Sequence, residues 1–182
     1  MKRLIIVLLV IGLSDDIYSQ DREPEEYKYV IYPLNIPYLF FGRYQASFQI
    51  KVSKKDHLLT GLHYNRQLDY DRGNGAGFEF QYRINANRDP NVRFRTHNYW
   101  GFYYEMDWLN FSYPGDPSGI TYTNRRTNIG ILMGYTFDTN SRLLIDIFFG
   151  GGLAFNKSGD AYYSYNETYP FVKVGFQLGI GL

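Results

Sequence analysis

Polar and apolar residues alternate with a period of two along most of this chain, the signature of half-buried strands rather than helices. The last segment is the clearest. Val172, Val174, Phe176, Leu178, Ile180 and Leu182 share one face, opposite Phe171, Lys173, Gly175, Gln177, Gly179 and Gly181. Upstream, Leu143, Ile145, Ile147, Phe149, Leu153 and Phe155 oppose Asp146, Gly150, Gly152 and Asn156, and Ile129, Ile131, Met133, Tyr135 and Phe137 oppose Gly130, Gly134 and Thr136. Phe94, Trp100, Phe102, Tyr104, Met106 and Trp108 oppose Arg93, Arg95, His97, Tyr99, Tyr103, Glu105 and Asp107. Phe78, Phe80, Tyr82 and Ile84 alternate with Glu79, Gln81, Arg83 and Asn85; Leu58, Leu62 and Tyr64 with Gly61, His63 and Asn65; Tyr44, Ala46, Phe48, Ile50 and Val52 with Arg43, Gln45, Ser47, Gln49 and Lys51. A first segment, Lys28 to Asn35, contains Pro33 and shows no clear phase. The pattern predicts eight strands, at about 28–35, 40–52, 57–70, 77–86, 93–110, 120–137, 142–156 and 170–182, and no helix from Tyr27 onward.

Short polar connections (Ser53–Asp56, Asn87–Val92, Asp138–Ser141) alternate with longer ones (Asp71–Ala76, Phe111–Gly119, Lys157–Tyr169) rich in Gly, Pro, Asp, Tyr and Ser. In an antiparallel meander this sets the short turns at one end and the long loops at the other. Eight such strands close into a barrel, because closure removes unpaired edges. A soluble barrel turns its apolar faces inward around a ligand; a membrane barrel turns them outward to lipid and keeps a polar interior.

Three features favour lipid. The apolar faces are uniform over five or six positions, enough for a band about 25 Å tall on tilted strands. The polar faces mix Gly with charges of both signs: Arg43, Lys51, Arg83, Arg93, Arg95 and Lys173 against Asp69, Glu79, Glu105, Asp107 and Asp146. In a narrow lumen, Gly opposite Tyr or Arg leaves room for the larger side chain. Aromatic residues also fall near strand ends, Phe94, Tyr135 and Phe137 by the short turns and Tyr70, Trp108 and Phe155 by the long loops, as in an interfacial belt.

Composition agrees with this picture. The 182 residues include 19 Tyr, 14 Phe, 2 Trp and 18 Gly, which argues against disorder and for strands with tight turns. Nineteen basic residues against 18 acidic leave a net charge of +1, so charge gives no reason to expect nucleic acid as a partner. The absence of Cys excludes disulfides, thiol catalysis, Cys-ligated zinc and a lipid-modified cysteine. Lys2 and Arg3 precede an unbroken apolar run, Leu4 to Leu13. The run is too short to span a bilayer, and it reads as a secretory signal peptide over residues 1–19. Residues 20–27 (QDREPEEY) read as a flexible lead-in, and 28–182 as the barrel.

Candidate chemistry is sparse. His57 sits by a tight turn, and His63 and His97 are phased toward the polar face; a metal needs several converging ligands, and hydrogen bonding inside the lumen is the simpler reading. No His lies beside a Ser at a spacing that suggests nucleophilic catalysis. Gly73-Asn74-Gly75-Ala76-Gly77 superficially resembles a phosphate loop but precedes no helix, and reads as a surface loop. Gly150-Gly151-Gly152 reads as packing relief or a bulge inside a strand. The lumen charges read as a cross-linked plug rather than an open pore, since eight strands enclose just enough space for side chains. The segment Lys157–Tyr169, with Tyr162, Tyr163, Tyr165 and Tyr169 among Ser and Asn, has the composition of a binding loop.

The eight alternating strands, the leader and the terminal amphipathic strand VKVGFQLGIGL together resemble the small eight-stranded outer-membrane proteins of Gram-negative bacteria, the class with OmpA-like and OmpX-like transmembrane barrels. The layout is similar to the uncharacterised small barrels grouped as outer-membrane β-barrel domains. The terminal strand resembles the recognition signal of the barrel-assembly machinery, with Leu182 where the usual final residue is aromatic. The resemblance covers 28–182 and implies an all-β, up-and-down transmembrane barrel with periplasmic termini and external long loops. It also implies outer-membrane lipid and lipopolysaccharide as surroundings and the assembly machinery as a partner in biogenesis. The expected role is non-enzymatic, in envelope integrity or in surface contact through the 157–169 loop, with no catalytic, cofactor or metal residues. A soluble or periplasmic barrel binding an apolar ligand is the alternative, and a lipid-modifying enzyme the third.

Overall fold

A computed structural model describes residues 27–40, 42–53, 55–66, 74–86, 95–112, 121–139, 142–158 and 166–182. The expected leader and most of the lead-in, together with Asp69, Tyr70, Gly73, Arg93, Phe94, Tyr162, Tyr163 and Tyr165, lie outside these residues. The chain forms β1 (Tyr29–Asn35), α1 (Ile36–Phe40), β2 (Arg43–Lys51), β3 (Asp56–Asn65), β4 (Asn74–Asn85), β5 (Arg95–Ser112), β6 (Thr121–Asp138), β7 (Leu143–Ser158) and β8 (Asn166–Gly181). Each strand pairs antiparallel with the next, and β8 returns to β1, closing an eight-stranded barrel. The fold class is therefore as the alternation predicts. The turns after β2, β4 and β6 share one end with both termini of the barrel. The connections after β1, β3, β5 and β7 lie at the other end.

Several boundaries differ from expectation. The second strand starts at Arg43 rather than near 40, because Ile36–Phe40 forms a five-residue helix. So short a helix, with a proline in its first turn, carries too little of a 3.6-residue period to register in the sequence. The missing phase of the first strand has a local cause: the β1–β8 register shifts between Ile31 and Leu34, around Pro33, and a bulge there moves later side chains to the other face. Residues 74–77 are not loop but the start of β4, in unbroken register with β3 and β5. Gly77 is there because a side chain would run into the imidazole of His63. β7 extends to Ser158 and β8 begins at Asn166, so the expected 157–169 loop contracts to 159–165, and Tyr169 is a strand residue. Tyr27, placed in the lead-in, packs on Val30, Tyr32, Leu59 and Leu144. Gly150–Gly152 keep continuous register with β6 and β8, so they provide close packing and no bulge.

The faces sort as the phase requires. Leu62, Phe80, Trp100, Phe102, Ile131, Met133, Phe149, Val172 and Val174 are exposed on the outside. Inside lie Arg83, Glu79, Gln81, Glu105, Asp107, Asp146, Lys173 and Gln177, each at most 1% exposed. Glycines shape this interior. An added Cβ would lie 2.5 Å from the Tyr99 ring at Gly134 and 2.6 Å from the Tyr32 ring at Gly179, and at Gly175 it would collide with Phe148. The large inward rings therefore stand opposite absent side chains.

Candidate functional site

The lumen is filled by two linked layers of charge. Toward the loop end, Glu105 of β5 accepts from Arg43 Nη1 at 2.8 Å, from Asn128 Nδ2 at 3.0 Å and from Lys173 Nζ at 2.5 Å. Lys173 also lies 3.1 Å from Glu79, and Gln45 Nε2 donates to Glu79 at 2.8 Å. Arg43 donates to His63 Nδ1 at 3.0 Å, which leaves the ring proton on Nε2, 2.6 Å from Asp107. Asp107 further accepts from Asn65 at 2.8 Å and from Arg126 Nη2 at 2.9 Å. Tyr38 of α1 caps this layer, its ring 4.7 Å from the Arg43 guanidinium and 5.8 Å from Lys173 Nζ. Aromatic faces at such distances attract cations.

Along β4 the layer continues. Gln81 donates to Glu79 and accepts from Arg83 Nε at 2.7 Å. Arg83 also donates to Gln49 at 3.1 Å, lies 3.1 Å from Asp146 and stacks 4.5 Å from Tyr99. Tyr99 and Thr136 donate to the other Asp146 oxygen at 3.0 and 3.1 Å. Four cations (Arg43, Arg83, Arg126, Lys173) thus face four carboxylates (Glu79, Glu105, Asp107, Asp146). The balance within this network is what a water-poor interior demands, since an unpaired buried charge is costly; a fifth buried carboxylate, Asp138, stands apart at the turn end.

The expected set of partners is largely brought together here: Arg43, Arg83 and Lys173 with Glu79, Glu105, Asp107 and Asp146. Lys51 stands half-buried at the end of β2 instead. Two members were missed. Arg126 falls on the same parity as Gly130, Gly134 and Thr136, and extending that phase upstream through Asn128 finds it. Tyr38 left no strand-period signal because it rides on α1.

His63, Glu105 and Asp107 are close enough to suggest a metal centre, but Arg43, Lys173 and Arg126 already neutralise those carboxylates. A divalent ion would have to displace three cations. Nor can His63 serve as a general base, since both its ring nitrogens are committed. At the turn end a cavity of about 40 Å³ opens between His57, His97, Arg83, Asn85, Thr136 and Asp138.

The chain was compared with protein-family models, curated proteins and solved structures. None matches it.

Proposed function

We propose that the chain is a non-enzymatic, integral outer-membrane β-barrel protein whose outer wall lies in hydrocarbon and whose lumen is an ion-paired plug. The observation that carries this reading is the inversion of the fold. Among the described residues, 23 large apolar side chains are exposed, including Leu62 at 73%, Val172 at 68% and Ile131 at 60%. Buried aliphatic and aromatic residues are fewer, and eight of the 11 sit in two small clusters. In water, so continuous an apolar surface would drive association; in a bilayer it is the required exterior. A closed barrel also satisfies the demand that backbone groups in lipid be paired internally. About 10 residues of tilted strand cross the hydrocarbon, so β5–β8, at 16–18 residues, stand roughly 6–8 residues beyond it at the loop end. That raised wall, with the 159–165 connection, is the surface offered for contact outside the membrane. The alternative of a carrier for an apolar ligand meets a lumen occupied by ion pairs.

The test is fractionation and folding state. The chain should partition with the outer membrane, should stay monodisperse only with detergent, and should migrate differently on gels before and after boiling. A monodisperse chain in plain buffer would refute the proposal. Moving residues 157–169 onto an inert barrel tests the contact role, and failure to transfer adhesion would remove that loop from it. Lipid A mass spectra unchanged by deletion of the gene are expected of a non-enzymatic protein; an altered spectrum would revive the lipid-modifying reading.

A further inference from the structure

We propose that the turn-end mouth of the lumen is a binding site for a small oxyanion, a phosphate or carboxylate group, held by Arg83. Arg83 is only 1% exposed, and its Nε and Nη1 are engaged by Gln81, Gln49 and Asp146. Its Nη2 makes no hydrogen bond of good geometry, the nearby Tyr32 hydroxyl included, and a buried guanidinium N–H without an acceptor is costly. Arg83 lines the cavity of about 40 Å³ described above. At about 10–15 Å³ for one water, that volume takes about three or four, the size of a carboxylate or phosphate group. The other walls include Asn85, the imidazoles of His57 and His97 and the Tyr99 ring; the Thr136 hydroxyl there is already given to Asp146, and the buried Asp138 carboxylate on the same cavity lowers the affinity for an anion.

A second feature points the same way. The strand ends around this mouth carry Lys28 before β1, Lys51 at the end of β2, Lys55 before β3 and Arg142 before β7. Against these four, the described acidic groups at the same end are Asp56 and Asp138. A cationic rim around a concave site raises the local concentration of anions and their rate of entry. Because Asp146 already balances Arg83, binding is expected to be modest, with dissociation constants of about 1–10 mM. The inference is independent of whether the outer wall meets lipid, since the mouth has the same walls in either case.

The full chain, folded in uncharged maltoside micelles, is titrated with sodium phosphate and separately with sodium acetate at fixed pH and ionic strength, following the His57 and His97 resonances by NMR. Saturable shifts are expected with at least one of these ions. Arg83→Lys keeps a charge opposite Asp146 but removes Nη2, and should weaken binding about tenfold. Asn85→Asp, at the half-exposed strand end, adds a negative charge to the wall and should also weaken it about tenfold. A third arm adds phosphatidylglycerol to the micelles without free oxyanion. Shifts there, but not with the free ions, assign the same oxyanion to a lipid headgroup. No saturable shift in any arm would overturn the proposal, and so would either folded variant binding at wild-type strength.

Discussion

Glu105 is the carboxylate that two buried cations approach most closely, Arg43 at 2.8 Å and Lys173 at 2.5 Å, and its removal should be strongly damaging. In Glu105→Ala, Arg43 loses its 2.8 Å partner and keeps Glu79 only at 3.9 Å, Lys173 keeps Glu79 at 3.1 Å, and Asn128 loses its acceptor. Two cations then share one carboxylate in a space closed to water. Breaking a buried pair from one side costs about 3–5 kcal/mol. With a urea dependence of about 2 kcal/mol per molar, the unfolding midpoint should fall by about 1.5–2.5 M. Trp100 and Trp108, both on the outer wall, report the transition by fluorescence in micelles. The partner experiment supplies the control. Lys173→Met in the Glu105→Ala background restores an equal count of charges, three against three, and should recover at least about 1 kcal/mol as a favourable coupling term. If Glu105→Ala shifts stability by less than about 0.5 kcal/mol, or if the two substitutions simply add, the lumen is not the dry, mutually dependent network described here.

Three further outcomes follow from the same geometry. Ile131→Arg, at a 60% exposed wall position, should cost about 2–4 kcal/mol of stability in lipid vesicles; a change within about 0.5 kcal/mol would place that wall in water. Gly175→Val should cost at least about 1–3 kcal/mol by overpacking, because its side chain would meet the Phe148 ring. Phe148→Ala should relieve part of that loss, and strict additivity in urea titrations would refute the pairing. Replacing Arg43, Glu79, Glu105 and Lys173 together by Met, Gln, Gln and Met should cost less than Glu105→Ala alone, because no orphaned charge remains and the new amide oxygens can still accept from Gln45, Gln81 and Asn128. NMR of this variant should nonetheless show more than one barrel register, and a single sharp spectrum would count against a role for the charges in fixing register.

The legible and the illegible parts of this molecule have different physical origins. The sheet is readable because β2–β8 obey one constraint over most of their length, apolar outward and polar inward, repeated with period two. Phase alone therefore placed Arg83, Glu79, Glu105, Asp146 and Lys173 in one lumen. What escaped were features set by contacts across the barrel or by broken periodicity. α1 occupies five residues and interrupts the alternation, and the shift around Pro33 cancels the phase of β1. Arg126 sits in the run Thr123-Asn124-Arg125-Arg126-Thr127-Asn128, polar on both faces, where β6 rises beyond the apolar band and the pattern loses its contrast. The start of β4 looked like a loop because Gly75 and Gly77 are loop-forming residues in most settings. Here Gly77 is demanded by a side chain on a neighbouring strand, a requirement carried by His63 rather than by the local sequence.

The charges raise a question of design that stability alone does not answer, since buried ion pairs are often no better than well-packed apolar residues. In this barrel the alternative carries its own penalty. The wall is apolar outside; if it were apolar inside as well, a slip of one residue would exchange two equivalent faces. The lumen charges remove that equivalence. Glu105 meets Arg43, 62 positions away, and Lys173, 68 positions away in the other direction, so a single carboxylate ties together β2, β5 and β8. Glu79 on β4 joins the same group. A slipped strand would carry its charge into the apolar outer face and strand its partners inside, a cost at both places. The ion-paired plug thus adds a penalty to wrong registers beyond whatever it contributes to the right one.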